Sequence, residues 1–375
     1  AASKHGAESV DTNLDAWRDH LRLKGGTEHW YTQARRRVAR VATDRGVKRL
    51  RDFTAATVER WLRDQADTGM SAGTRNGYRQ ACVTFVNWCV RAGRLTHNPL
   101  LAVAVADQRA DTRRQRRALT EEELARLLDA AQRRPLADAM TVRRGEAKGQ
   151  AQAKVTPATR ENLLRIGRER ALIYKTLVLT GLRKGELASI TVGQVDLDGR
   201  MPYLMLNARD EKNRRGSEIP LRTDLAADIR AWLADRLAWA QQAARDADEP
   251  IPATLPGDEP LFDVPDGLIR IFDRDLVFAG LARIENRDGK VVIVKTDDRG
   301  RTIDIHALRH TFGTHLSKAG VPLRTAQAAM RHSDPSLTAN VYTDPKLLDV
   351  AGAVASLPDL PLGEVARHAA ASVAR

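Results

Sequence analysis

The sequence predicts a mainly α-helical protein with small β-hairpins, an α+β chain in two domains. Three observations carry this. Apolar side chains recur at a spacing near 3.6 through the first hundred residues. A second helical region opens at LTEEELARLL, where Thr120 and Glu123 form a capping box ahead of an apolar run. Further on, short β-type segments flank polar turns. At 375 residues the chain exceeds one small core, so two domains are expected.

The elements follow in order. Leu14, Trp17 and Leu21 share one helical face, and a helix with interspersed arginines runs from Trp30 to Val41. Val58, Trp61 and Leu62 mark a third helix; Tyr78, Cys82, Phe85, Val86 and Cys89 mark a fourth. Gly69, Gly93 and Pro99 punctuate them. Cys82 and Cys89 lie seven apart on one helix, a spacing awkward for a disulfide, and read as buried free thiols. This helical domain covers residues 1–106. A linker follows at 107–118, where DQRADTRRQRR holds five arginines and no large apolar residue. The second domain covers 119–348, and 349–375 is a tail.

Within the second domain, residues 133–170 hold ten basic and four acidic side chains. Pro135 to Pro157 reads as a flexible insertion, which either touches a polyanion or is a solvated loop. Helical pattern returns from Glu169 to Thr180, Gly181 fits the left-handed residue that ends such a helix, and LRKGELASI starts a short one. Met201–Asn207 and Gly216–Leu221 read as strands. Leu225–Ala244 is a long helix and Asp248–Pro260 a proline-rich loop. Val291–Lys295 and Thr302–Ile305 read as a hairpin turning at DDRG, and the chain is helical from His306 to about Val350.

The formal net charge of +13 favours a polyanionic partner, nucleic acid before anionic membrane. No apolar run reaches the ~18 residues of a membrane span, and AASKHGAESV lacks the apolar core of a signal peptide. Ala1 stands where an initiator Met would, which leaves room for upstream residues.

Chemistry concentrates in HALRHTFGTH, from His306 to His315. Four of the nine histidines fall between 306 and 332. On a helix His306, Arg309, His310 and Gly313 share one face, with Leu308, Phe312 and Leu316 opposite. His306 and His310 have zinc-pair spacing, but Ala307 stands where the metalloprotease pattern needs Glu, and Arg309 would repel a cation. The expectation is no metal and no cofactor. Upstream, TGLRKGEL places Arg183 and Glu186 three apart, so that the carboxylate can orient the guanidinium. Downstream, MRHSDPSLTANVYTD carries His332 and, ten residues on, Tyr342.

Taken in order, TGLR-x-x-E-L, H-x-L-R-H, R-H-S and the tyrosine ten residues later resemble the tyrosine recombinases, or phage integrase family. The resemblance covers roughly Leu119 to Leu348. It implies a helical core-binding domain and a catalytic domain that form a clamp around double-stranded DNA. Residue by residue, Tyr342 matches the nucleophile that forms a 3′-phosphotyrosine, and Arg183 and Arg309 match the clamp on the nonbridging phosphate oxygens. His306 matches the residue that helps move protons at the phosphate. His332 matches a phosphate ligand. Lys212, in DEKNRRGSEIPL, matches the turn lysine that protonates the leaving 5′-oxygen; Lys184 is the other candidate, but it would project about 100° from Arg183. Glu186 matches the support of the first arginine, and His310 a further supporting position. The implied activity is site-specific recombination, for a mobile genetic element, by a homo-tetramer on two DNA sites, with room for a DNA-bending accessory protein. A monomeric type IB topoisomerase-like relaxer and a non-catalytic DNA-binding protein on the same fold are the alternatives. The implied setting is the bacterial cytoplasm, at the nucleoid and not at a membrane. The tail at 349–375 is either exchanged between protomers or disordered.

Overall fold

The computed structural model describes residues 7–211, 213–334, Thr338 and Val354. Lys212, Tyr342 and nearly all of the tail therefore lie outside the described residues. The chain folds as two units, Ala1–Arg113 and Arg114–Arg375.

In the first unit the apolar periodicity becomes α1 (Val10–Leu23), α2 (Glu28–Asp44), α3 (Ala55–Asp67) and α4 (Ala72–Arg91). Each starts at a Ser or Thr, namely Ser9, Thr27, Thr54 and Ser71, whose hydroxyl accepts the backbone N–H three residues on. Their apolar stripes meet around Trp17, Phe53, Trp61 and Phe85, all essentially inaccessible to solvent. Cys82 and Cys89 are free and buried, and burial pushes both thiols up to about 12. On the outside, the Arg40 guanidinium lies over the rings of Trp61 and Tyr78 and donates to the Tyr78 hydroxyl at 3.0 Å.

The second unit begins with β1 (Gln115–Arg116), α5 (Glu121–Met140), α6 (Pro157–Thr180) and the short α7 (Lys184–Ala188). A three-stranded antiparallel sheet follows, in the order β2 (Val195–Asp196), β3 (Tyr203–Leu206), β4 (Ser217–Pro220). Then come α8 (Thr223–Asp246), α9 (Leu268–Phe278), the hairpin β5 (Arg283–Arg287) and β6 (Lys290–Val294), β7 (Arg301–Thr302), α10 (Ala307–Lys318) and α11 (Leu323–Ala329). The core runs along α6 through Leu172, Tyr174 and Leu177 and takes in Leu204, Ile219, Phe272 and Leu308. The basic stretch after the first unit is partly structured here. Gln115 and Arg116 pair in parallel with Arg301 and Thr302, and Arg117 donates to both oxygens of Glu123 at 2.8 and 2.7 Å.

Four features correct or add to these expectations. Pro135 does not end a helix; it is buried inside α5, which continues to Met140, and α6 already begins at Pro157. The neighbouring Arg134 explains the continuation. It is buried and donates to Asp275 Oδ1 at 2.5 Å, while Tyr174 Oη donates to the other oxygen at 2.7 Å. This charge cluster ties α5, α6 and α9 together, and a buried pair tolerates little movement. The connection left between the helices is 141–156.

Second, 290–294 pairs with 283–287, and of the expected hairpin with 302–305 only the end next to the turn forms, where Thr296 bridges Thr302 and Ile303 N donates to Lys295 O at 3.0 Å. The charged string RIENR hid its strand, although Asp288 and Gly289 supply the left-handed turn. The DDRG turn does form, with Gly300 N donating to Asp297 O at 2.8 Å, but β7 pairs with β1. Third, β2 was not expected, being only two residues long. Fourth, the helix after His306, read only as one polar face opposite an apolar one, is enclosed on both. Ala307, Leu308, Arg309, His310, Thr311, Gly313 and Thr314 are all buried, so its polar face points into protein. Among the described residues no helix is long and apolar enough to cross a membrane.

Candidate active site

The site is built around the end of α6. Gly181 closes that helix with φ 62°, and a Cβ there would sit 2.4 Å from Phe312 Cδ1 of α10. Only glycine satisfies both the left-handed backbone and the close approach. The last carbonyls of α6 carry the negative end of the helix dipole, and cations gather on them. Arg309 Nη1 donates to Gly181 O and its Nη2 donates to Met330 O. Arg309 is 1% exposed, so its guanidinium is fixed from two directions inside the protein. α10 is itself pinned along its length: Thr311 Oγ1 accepts Leu119 N at 3.0 Å and donates to Ala307 O at 2.7 Å.

Arg183 follows two residues after Gly181. It is the N-cap of α7, in extended conformation, rather than a helical residue. Glu186, at the third helical position, accepts the Arg183 backbone N–H at 2.9 Å and the Arg183 guanidinium on its other oxygen. The same carboxylate accepts Arg331 Nη2 at 3.2 Å. Burial alone would raise the Glu186 pKa, but the backbone and guanidinium of Arg183, with Arg331, outweigh it and hold the carboxyl below its usual range. The Arg183 side chain remains 25% exposed. A guanidinium held from behind and open in front suits an anion.

His306 is the residue before α10. Its neighbour Asp304 accepts Arg116 Nε on both oxygens, at 2.9 and 3.0 Å, and Ala307 N at 3.0 Å. Burial, then the charges of Arg116 and Arg309, push the His306 pKa down to about 4, with Asp304 opposing and Arg183 adding to the fall. His332 follows α11. Its backbone N–H donates to Gln327 O at 3.1 Å, its carbonyl accepts Gln327 Nε2 at 3.0 Å, and its Nδ1 lies 2.9 Å from Thr338 Oγ1. Burial, then Arg309, Arg183, Arg331 and His306, bring its pKa down to about 4 as well. Both imidazoles are thus neutral near pH 7. The same charges act on both rings, so Arg183, His306, Arg309 and His332 form one electrostatic unit. His310 is buried on α10.

Lys212 and Tyr342 lie outside the described residues. The flanks of Lys212 are placed: Glu211 Oε1 accepts Ser217 Oγ at 3.0 Å, and Asn213 Nδ2 donates to Arg331 O at 2.9 Å. The other lysine candidate, Lys184, donates to Asp266 O at 2.9 Å. Sequence reasoning missed Arg331, which is buried against Glu186. The only signal was its place beside His332, because burial of an arginine leaves no mark in a sequence. Arg116 and Asp304 were missed because they pair across 188 residues, which the sequence does not show.

Residues 161–347 match the phage integrase family. Over 295 residues, 78% of this chain and 78% of the relative, the sequence is 25% identical to tyrosine recombinase XerD of Caulobacter vibrioides. The chain belongs to the tyrosine recombinase, or phage integrase, family. The family match spans every residue of the set Arg183, Lys212, His306, Arg309, His332 and Tyr342. Two solved integrase structures share the fold. A lambda integrase tetramer bound to a Holliday junction aligns with a TM-score of 0.54 at 19% identity, covering 96% of this chain and 81% of that one. The Tn1549 transposon integrase in complex with transposon right end DNA aligns with a TM-score of 0.54 at 16% identity, covering 88% and 95%.

Proposed function

We propose that this protein is a site-specific DNA recombinase that cuts and rejoins strands through a 3′-phosphotyrosine on Tyr342. The observation that carries the reading is the convergence on the end of α6. Arg309 and Arg331 meet at Gly181 O, Arg183 stands two residues on, and two neutral histidines sit in the field of these arginines.

The chemistry follows from this arrangement. Phosphoryl transfer spreads negative charge over the nonbridging oxygens, and preorganised guanidinium groups stabilise that charge without forming bonds. Arg183 and Arg309 fill that role. A tyrosine has an ordinary pKa near ~10, so its proton must leave as attack begins. Neutral His306 can take it, and the arriving phosphodiester anion raises the basicity that the arginines suppress. The phenolate oxygen bonds to phosphorus, the bond from phosphorus to the 5′-oxygen breaks, and Lys212 gives that oxygen its proton. His332 donates to a nonbridging oxygen. The phosphotyrosine conserves the phosphodiester bond, so rejoining needs no nucleotide.

Basic surfaces on both units supply backbone affinity, which falls steeply with salt. In this reading residues 1–106 are the core-binding domain, 119–348 the catalytic domain, and four protomers act on two sites. Bending each site costs of order 1–6 kcal/mol, which an accessory DNA-bending protein would help supply.

A two-site plasmid assay tests the function. Strand exchange between sites taken from the ends of the element encoding this chain is the expected product. Relaxation of supercoils without exchange would instead assign a topoisomerase-like activity.

A further inference from the structure

Arg331 stands between Met330, whose carbonyl holds Arg309, and His332. Its backbone φ is 53°, in the left-handed region that arginine seldom enters. Such a conformation persists only where the surroundings hold it. Here the surroundings are specific. The side chain is 8% exposed and reaches Glu186 Oε2 at 3.2 Å, Thr180 O and Gly181 O at 3.4 Å each, and Glu211 Oε1 at 3.8 Å from Nε. The backbone carbonyl accepts Asn213 Nδ2 at 2.9 Å. Glu211 and Asn213 are the residues on either side of Lys212.

We propose that Arg331 is a positioning residue for the catalytic lysine, fastening the β3–β4 hairpin on both sides of Lys212 to the scaffold that orients Arg183. The inference rests on the reading of Lys212 as general acid. Glu211 is 4% exposed and anchored across the hairpin by Ser217, so its attraction to Arg331 fixes the start of the turn. At 3.8 Å that contact is an ion pair rather than a hydrogen bond. The bond from Asn213 fixes the other side. Among the described residues, backbone bonds such as Glu211 N to Asn207 O at 3.1 Å and Arg214 N to Glu211 O at 3.0 Å shape the turn locally. A general acid must lie within hydrogen-bond reach of the leaving oxygen, and a displacement of ~1 Å can cost ~100-fold in rate. Removing the Arg331 charge would leave Glu186 and Glu211 buried without it and let the hairpin drift.

The test uses the full chain and nicked duplex substrates, with the scissile 5′-oxygen either present or replaced by sulfur. A thiolate leaves without an acid, so sulfur rescues a misplaced acid but not a damaged phosphate clamp or a poor fold. Lys212→Ala provides the reference pattern: a loss of about 100-fold or more on oxygen, and a rate near wild type on sulfur. Arg331→Gly, which suits the left-handed backbone, and Glu211→Gln, which leaves the Arg331–Glu186 pair in place, should each lose about tenfold or more on oxygen and recover most of it on sulfur. Arg331→Lys should restore part of the oxygen rate. Equal losses on both substrates, or no loss on oxygen for either variant, would overturn the positioning role. If Lys212→Ala itself is not rescued by sulfur while wild type cuts both substrates, the underlying assignment of the acid fails, and the inference with it.

Discussion

Arg309 donates to the carbonyl oxygen of Gly181, 128 residues earlier in the chain, and through its second terminal nitrogen to Met330. One buried side chain thus joins α6, α10 and the end of α11, and its geometry is set before any DNA arrives. Arg309→Lys keeps the charge but cannot span two carbonyls with a planar fork. Cleavage should fall by about 100-fold or more, with DNA affinity changed only a few-fold. A quantitative gel assay with a parallel binding titration reads both, and near wild-type cleavage would remove Arg309 from the clamp. Arg309→Ala is the less informative variant. It takes the guanidinium donor from Met330 O and leaves Gly181 O with Arg331 alone, at about 1–3 kcal/mol for an orphaned carbonyl, so stability falls together with activity.

Gly181 carries the other half of that relationship. Gly181→Ala forces a Cβ into a left-handed residue and against Phe312. Stability should drop by about 1–3 kcal/mol, with a loss of cleavage because the carbonyl that receives Arg309 must shift. Thermal melting and single-turnover cleavage measure the two effects. An unchanged melting temperature would contradict the packing described.

Much of this was legible in the sequence, and the reasons are physical. The helix start at Thr120 follows from its capping box, and Gly181 announced a helix end because few other residues take that backbone. The chemistry-bearing residues fall in short strings whose order identifies the family. What escaped was tertiary. Pro135 looks like a breaker until Arg134 is seen buried on Asp275. RIENR looks like a charged loop until it pairs with KVVIV. The stripe of Arg309 and His310 was legible as a polar face, but a helical wheel cannot show that protein covers it. Arg331 was passed over because its two glutamate partners are 145 and 120 residues away.

The two histidines give a pH dependence of stability. Both have folded values near 4 against an ordinary 6.5. The unfolded chain therefore binds protons that the folded protein refuses. The stability they confer is complete above pH ~6.5, declines as pH falls through the window, and is lost below pH ~4. Urea midpoints at pH 7 and pH 4.5 should differ more for wild type than for a His306→Gln, His332→Gln double variant. Equal differences would mean that these imidazoles titrate normally.

Asp275 tests the scaffold away from the chemistry. It is fully buried and meets Arg134, Arg170 and Tyr174. Asp275→Asn preserves shape but leaves buried Arg134 with only the more exposed Asp138 and takes the charged acceptor from Arg170 and Tyr174, which should destabilise the protein by about 1–3 kcal/mol. Chemical denaturation measures this, and a change under ~1 kcal/mol would show that the cluster does not hold α5, α6 and α9 together.

The central claim is a covalent, metal-independent step on Tyr342, and the direct measurement is trapping on a nicked candidate site in excess EDTA. Wild type and Tyr342→Phe are run side by side on a denaturing gel. A slower DNA-bound protein band in wild type alone, with equal DNA binding by both, is the predicted result. An adduct that persists in Tyr342→Phe, or one that forms only when a divalent ion is restored, would contradict the account.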